Sequence, residues 1–205
     1  MLRLGRGWIC ADDILASASK HRRIEKYHKN AALFDQGGKI CNQELEIFKK
    51  ISIGSFSVYG NGCGALALYN LTLMTRGKAD LAQIILELEY NHALRLNGLF
   101  GVSPHGIEGY LKAHKFDIEI HSGTKACRKS IEQYTAAILF VRNRHSLGEH
   151  YYCVINTADG LFSMNRFCNQ SGAVRLNPAE LHGVKKAYCT KTPIVSRFNN
   201  HTVTR

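Results

Sequence analysis

The chain changes texture near residue 115, and that change limits its fold more than any other feature. Ahead of it lie stretches of helix formers broken by glycine; after it come short β-branched or aromatic segments parted by turns. FDIEIHS, AAILFVR, YYCVIN, GLFSMN, AVRL and KKAYCT read as strands, and Ala158-Asp159-Gly160 marks a hairpin between YYCVIN and GLFSMN. Helices first and an antiparallel sheet second make an α+β arrangement, with a helical N-terminal lobe packed on a C-terminal antiparallel sheet. A length of 205 residues suits one domain, or one domain with an extension. Residues 1–50 read as an N-terminal helical extension. Residues 51–205 read as the main domain, with a helical lobe at 51–115 and a sheet lobe at 116–205.

Within the helical half, Asp12 or Asp13 can cap a helix carrying Ile14, Leu15, Ala18, Ile24 and Tyr27. Gly37-Gly38 marks a break, and Glu44 to Lys50 suits a short second helix. The glycine-punctuated GSFSVYGNGCG then reads as a loop feeding ALALYNLTLMT, a run apolar enough to be buried on most sides. Gly77 ends that helix. Lys78 to Asn97 reads as one long helix, and Ser103-Pro104 opens another with a cap followed by proline at the first helical position.

The net charge of +11 invites an anionic partner. The basic residues are spread along the chain, and the densest cluster is Lys20, Arg22, Arg23, Lys26 and Lys29. Neither an aromatic-rich RNA-binding signature nor zinc-finger spacing accompanies them, so the charge reads as a solvated, generally anion-attracting surface. The 7 cysteines are odd in number and irregular in spacing, with no CxxC pair, which points to free thiols in a reducing compartment and away from a structural zinc site. His105, His114, His121 and His145 show no paired ligand spacing. With no apolar run suited to a signal peptide or a membrane span, the expectation is a cytoplasmic protein.

Three residues carry the chemistry. Cys63 sits in Asn61-Gly62-Cys63-Gly64 where a buried helix begins. Unpaired N–H groups at a helix N-terminus favour an anion, lower a thiol's pKa and can receive an oxyanion. The flanking glycines would let a substrate backbone come close. His150 directly precedes the YYCVIN strand, and Asn165 ends GLFSMN across the Asp159-Gly160 turn, so a hairpin brings the two together. A histidine needs such a neighbour to fix its tautomer and aim its other nitrogen at the thiol. Asp159 is the alternative third member, although a turn position explains it better. Glu149 reads as a solvated charge, with a place at the cleft rim as the alternative, and Cys168 reads as structural.

A Cys at a helix start, a His at a strand start and an Asn one hairpin later resemble the papain-like cysteine peptidase superfamily. NGCGALALYN resembles the nucleophile helix of its bacteriocin-processing, C39-like branch, and EHYYCVIN with GLFSMN resembles its His and Asn/Asp strands; the similarity spans roughly residues 55–170. The resemblance implies hydrolysis of a peptide or protein substrate without a cofactor or metal. Cys63 would be the nucleophile, His150 the base and Asn165 the orienting residue, with the Cys63 N–H and Asn61 as oxyanion donors. The family's glutamine a few residues before the cysteine is missing from GSFSVYGNG, where Asn61 is the nearest amide and Ser57 or Tyr59 can also donate. Two other readings stand beside hydrolysis: acyl transfer to an amine by the same triad, and a catalytically silent domain binding an anionic partner.

Overall fold

The computed structural model describes residues 2–4, 7–9, 11–34, 38–142, 148–167 and 169–195, with side chains from residue 19 onward. Gly37, His145 and Cys168 lie outside the described residues. Two short strands, β1 (Leu2–Leu4) and β2 (Gly7–Ile9), pair ahead of helix α1 (Ala11–Leu33). Asp12 and Asp13 fall inside the first turn of α1 and not ahead of it, where acidic residues also suit the helix dipole.

Helix α1 packs along α5 (Leu81–Tyr90), and polar side chains fix its position. Lys26 donates to Glu89 at 2.8 Å and to the Gly54 carbonyl at 2.6 Å, and the Gly54 N–H also donates to Glu89. Asn30 pairs with both the N–H and the carbonyl of Ser52. Part of the basic cluster is therefore structural: Lys26 is spent on a buried carboxylate, and Arg23 lies over the Tyr90 ring. The Glu89 side chain is only 6% exposed. Lys26→Met is expected to cost about 3 kcal/mol, because it strands a buried charge. Urea denaturation measures this, and a change below about 0.5 kcal/mol would class the pair with surface ion pairs.

The segment 38–50 enters the same core through Ile40, Cys41 and Phe48, the last on α2 (Ile47–Lys50). GSFSVYG is more ordered than a loop. Strands β3 (Ser52–Ile53) and β4 (Phe56–Ser57) form a small hairpin, followed by the single turn α3 (Val58–Asn61). Helix α4 (Cys63–Arg76) is buried from Gly64 to Leu71, as its apolar run requires, and ends at Gly77 with φ 74°. Its one interior amide, Asn70, pairs with both the N–H and the carbonyl of Ile40, at 2.8 and 2.7 Å. A polar residue in an apolar helix thus satisfies a buried backbone segment.

The expected long helix over Lys78–Asn97 is instead α5 alone, capped by Asp80, whose side chain accepts from the Gln83 N–H. The chain then leaves helical geometry: His92, Leu96 and Asn97 all have positive φ, and Leu94 bridges to Val102 across a loop. Helix α6 (Pro104–Ala113) starts where Ser103-Pro104 indicates, with the Ser103 hydroxyl accepting from the Gly106 N–H.

All six strand segments read from the sequence are present: β5 (Glu119–Ser122), β6 (Ala136–Arg142), β7 (Glu149–Thr157), β8 (Gly160–Met164), β9 (Val174–Arg175) and β10 (Val184–Thr190). They form one antiparallel sheet in the order β5-β10-β6-β7-β8-β9. Helix α7 (Thr124–Ser130), which the sequence reading did not anticipate, lies between β5 and β6. Ile138, Phe140, Tyr151, Cys153 and Tyr188 join the core of the helical half. Leu139, Tyr152, Val154 and Ala187 join a second cluster with Cys127, Leu176 and Leu181. Covering both faces explains why AAILFVR is continuously apolar. The protein is a mixed α+β structure, and among the described residues no helix is long and apolar enough to cross a membrane.

Candidate active site

Helix α4 and strand β7 pack together, with Cys63 as the first residue of the helix and His150 as the second of the strand. The glycines around the thiol serve the turn itself. A Cβ on Gly62 would lie 2.7 Å from the Val58 Cα and carbonyl oxygen, and one on Gly64 would lie 2.8 Å from the Val102 Cβ. Neither position admits a side chain without displacing its neighbours, which corrects the reading of both glycines as room for a substrate backbone. Gly60 has open space around it and lines the cleft.

The half-buried Cys63 thiol lies against the His150 side chain and the backbone N–H groups of Tyr151 and Gly64. Burial pushes the thiol up; His150, as hydrogen-bond partner and as charge, outweighs that with the two N–H groups and holds Cys63 below the ordinary thiol value. Burial likewise pushes His150 down, while the bond and charge of Cys63 and the carbonyl of Asn165 lift it above the ordinary imidazole value. Both shifts favour a thiolate–imidazolium pair. The remaining cysteines for which a shift is resolved, Cys41, Cys127, Cys153 and Cys189, are all pushed up by burial.

Asn165 holds the histidine, but through its main chain. His150 Nε2 lies 2.6 Å from the Asn165 backbone oxygen, so this nitrogen carries the proton and Nδ1 is left for the thiol. The carbonyl is aimed by a left-handed turn: Asn165 directly follows β8 with φ 60°, a conformation Asn tolerates better than most side chains. Gln170 stitches that turn by accepting from the N–H groups of Arg166 and Phe167 and donating to the carbonyls of Ser163 and Gly172. The expectation that the Asn165 side chain orients His150 is therefore corrected. Asn165→Gly keeps the carbonyl and its left-handed backbone, so kcat/KM should fall only several-fold; Asn165→Ala should fall further, since that conformation costs Ala about 1 kcal/mol. Equal losses in the two variants would return the orienting role to the side chain.

Of the three side chains offered as oxyanion donors, only Tyr59 borders the cleft. The Asn61 amide, oriented to satisfy its surroundings, donates at 3.2 Å to the carbonyls of Leu99 and Gly60, so the loop following α5 has claimed it. The Cys63 N–H stands at the first position of α4, where a donor has no partner within its own helix. Asp159 lies in the β7–β8 turn at the far end of β7 from His150, which removes it as a third member. Glu149 borders the cleft and is paired with Arg95 at 2.7 Å. His114 meets Glu87 and His121 meets the Tyr134 hydroxyl, each on its own part of the molecule.

Gln43 is the site residue that sequence reasoning missed. It is 2% exposed, borders the cleft and donates at 3.0 Å to the carbonyls of both Val58 and Tyr59. Its Oε1 accepts from Asn165 Nδ2 at 3.2 Å. Nothing in CNQELEIF announces this, because Gln43 is delivered by the Asn70–Ile40 pairing and not by its own neighbours.

The cleft that holds Cys63 and His150 is lined by Glu44, Tyr59 and Gly60 from the helical half and by Arg142, Phe167 and His182 from the sheet half. Neither a protein-family model nor a curated protein matches this sequence.

Proposed function

We propose that the protein is a papain-like cysteine peptidase or related amide hydrolase. The observation that carries the reading is the Cys63–His150 pair. A thiol at a helix start lies against an imidazole whose far nitrogen is engaged by a fixed carbonyl, with both groups shifted toward the ion pair. In this reading the Cys63 thiolate attacks the substrate carbonyl and the Cys63 N–H receives the developing oxyanion. His150, as imidazolium, protonates the leaving amine. Water then attacks the acyl-enzyme while His150 withdraws its proton, and collapse of the intermediate breaks the C–S bond, releasing the acid product and restoring the Cys63 thiolate beside the His150 imidazolium. The helical N-terminal half against an antiparallel sheet, with the nucleophile on the first and the base on the second, accords with that superfamily's architecture.

Acyl transfer to an amine would use the same acyl-enzyme and differ only in whether an amine or water attacks it. The test is to load the protein with an activated acyl ester, locate the acyl group by peptide mapping, and quantify products in water with and without primary amines. Acylation at Cys63 followed by hydrolysis is expected. Predominant amide formation would favour a transferase, and absence of any acyl-enzyme would favour a silent binding domain.

A further inference from the structure

The hydrogen bonds around Gln43 have only one consistent sense. The carbonyls of Val58 and Tyr59 are pure acceptors, so the Gln43 amide nitrogen must face them, and both of its protons are used there. Its oxygen is therefore turned toward Asn165, and Asn165 must present its own amide nitrogen, 3.2 Å away. The Asn165 Oδ1 is left as the free end, buried and without a partner. Asn165 itself is 1% exposed, so this ordering takes place away from water, where a wrongly oriented amide costs a full hydrogen bond.

The two ends of this relay are the two halves of the site. Val58 and Tyr59 form the turn that leads into Cys63, and the Val58 carbonyl also accepts from the Gly62 N–H at 2.9 Å. Asn165 supplies the carbonyl that holds His150. Gln43 joins them, reaching Asn165 from 122 residues away in sequence, and it is itself pinned to α4 through the Ile40–Asn70 pairing three residues earlier.

We infer that Gln43 is a positioning residue that fixes the amide polarity of Asn165 and holds the Cys63 turn in register with His150. The inference rests on the reading of Cys63 and His150 as a reactive pair. Asparagine at position 165 then follows from Gln43: an Asp carboxylate there would set oxygen against oxygen, and a glutamate at 43 would face two carbonyls with no proton to give. The superfamily's tolerance of Asp at the third position should not extend to this chain, and Asn165→Asp, which sequence reasoning alone would allow, should be harmful.

The test is the rate of Cys63 alkylation by iodoacetamide, followed by peptide mapping across the pH range, in wild type, Gln43→Met, Asn165→Gly and Asn165→Asp. Wild-type Cys63 should react well below the reference thiol pKa of about 8.5. Gln43→Met should slow that reaction about tenfold at mildly acid pH, the effect of moving the thiol by about one unit, with the circular dichroism unchanged. The effect of Gln43→Met should shrink when Asn165 is already Gly, because the shared contact is gone. Asn165→Asp should be slow at neutral pH and regain rate relative to wild type as the medium is acidified, since a protonated carboxyl can again donate to Gln43. A purely structural lesion has no reason to recover in acid, so this variant decides the matter even if Gln43→Met does not fold. Sluggish wild-type Cys63 would overturn the functional reading itself. Reactive wild-type Cys63 with folded Gln43→Met at full rate, or Asn165→Asp without acid recovery, would overturn the role of Gln43 alone.

Discussion

Cys63→Ala is expected to lower peptide or ester hydrolysis by at least about 10³-fold, since no other group replaces a lost nucleophile and only binding and oxyanion contacts remain. The fold should persist. Cys63 is half-buried and packs only at the margin of the main core, and Ala is a good residue for the first turn of α4. Equal circular dichroism with no acyl-enzyme formation is the expected pair of results. Retained acylation in Cys63→Ala would place the reactive group elsewhere, and the buried Cys41, Cys127, Cys153 and Cys189 offer no replacement because burial keeps all four as thiols.

His150→Ala comes second in size. It removes the proton carrier, worth about 10²–10⁴-fold, and also the largest influence lowering the Cys63 pKa. The thiol then keeps its burial and only the N–H groups of Tyr151 and Gly64, so its pKa should rise. In wild type the active pair exists between the lowered thiol value and the raised imidazole value. Activity should fall on the acid side as the thiolate takes up a proton, and on the alkaline side as the imidazolium loses one. The profile of kcat/KM against pH is expected to be bell-shaped in wild type and to lose its alkaline limb in His150→Ala. A substitution that lowers the rate uniformly at every pH would mean that His150 supports the site only by packing.

Most of the sheet was legible because its signals are local. Alternating or continuous apolar runs between turn residues identify β5 to β10, and Asp159-Gly160 identifies the β7–β8 turn. From that hairpin, the closeness of His150 and Asn165 followed. The helical half was legible where caps are explicit, as at Ser103-Pro104 and Gly77, and misread where they are not. Helix α5 stops at Tyr90 because tertiary contacts take over: Asn97 is drawn onto Ser55 and its carbonyl accepts the Ser55 N–H, while Arg95 reaches Glu149. Propensity over Lys78–Asn97 carries no trace of these partners. Asn61 was misassigned for a similar reason, its amide being claimed by a loop that arrives from residue 99.

The roles of Asn165 and Gln43 show the limit from another side. A sequence identifies a side chain, whereas His150 is held by a main-chain carbonyl whose direction comes from a left-handed φ and from Gln170. Gln43 enters the site from a segment fixed by Asn70, a residue in the middle of an apolar helix. Each link is non-local, and none leaves a pattern of spacing.

The central claim is that Cys63 and His150 form a thiolate–imidazolium pair, and its most direct test is the ionisation of Cys63 itself. Thiolate absorbance in the far ultraviolet, titrated in wild type and subtracted from that of Cys63→Ala, isolates this one group among the cysteines. A thiolate–imidazolium pair requires a thiolate that is present at neutral pH, below the reference value of about 8.5, and that moves to higher pH in His150→Ala. A difference signal appearing only at or above about 8.5, and at the same place with or without His150, would contradict it.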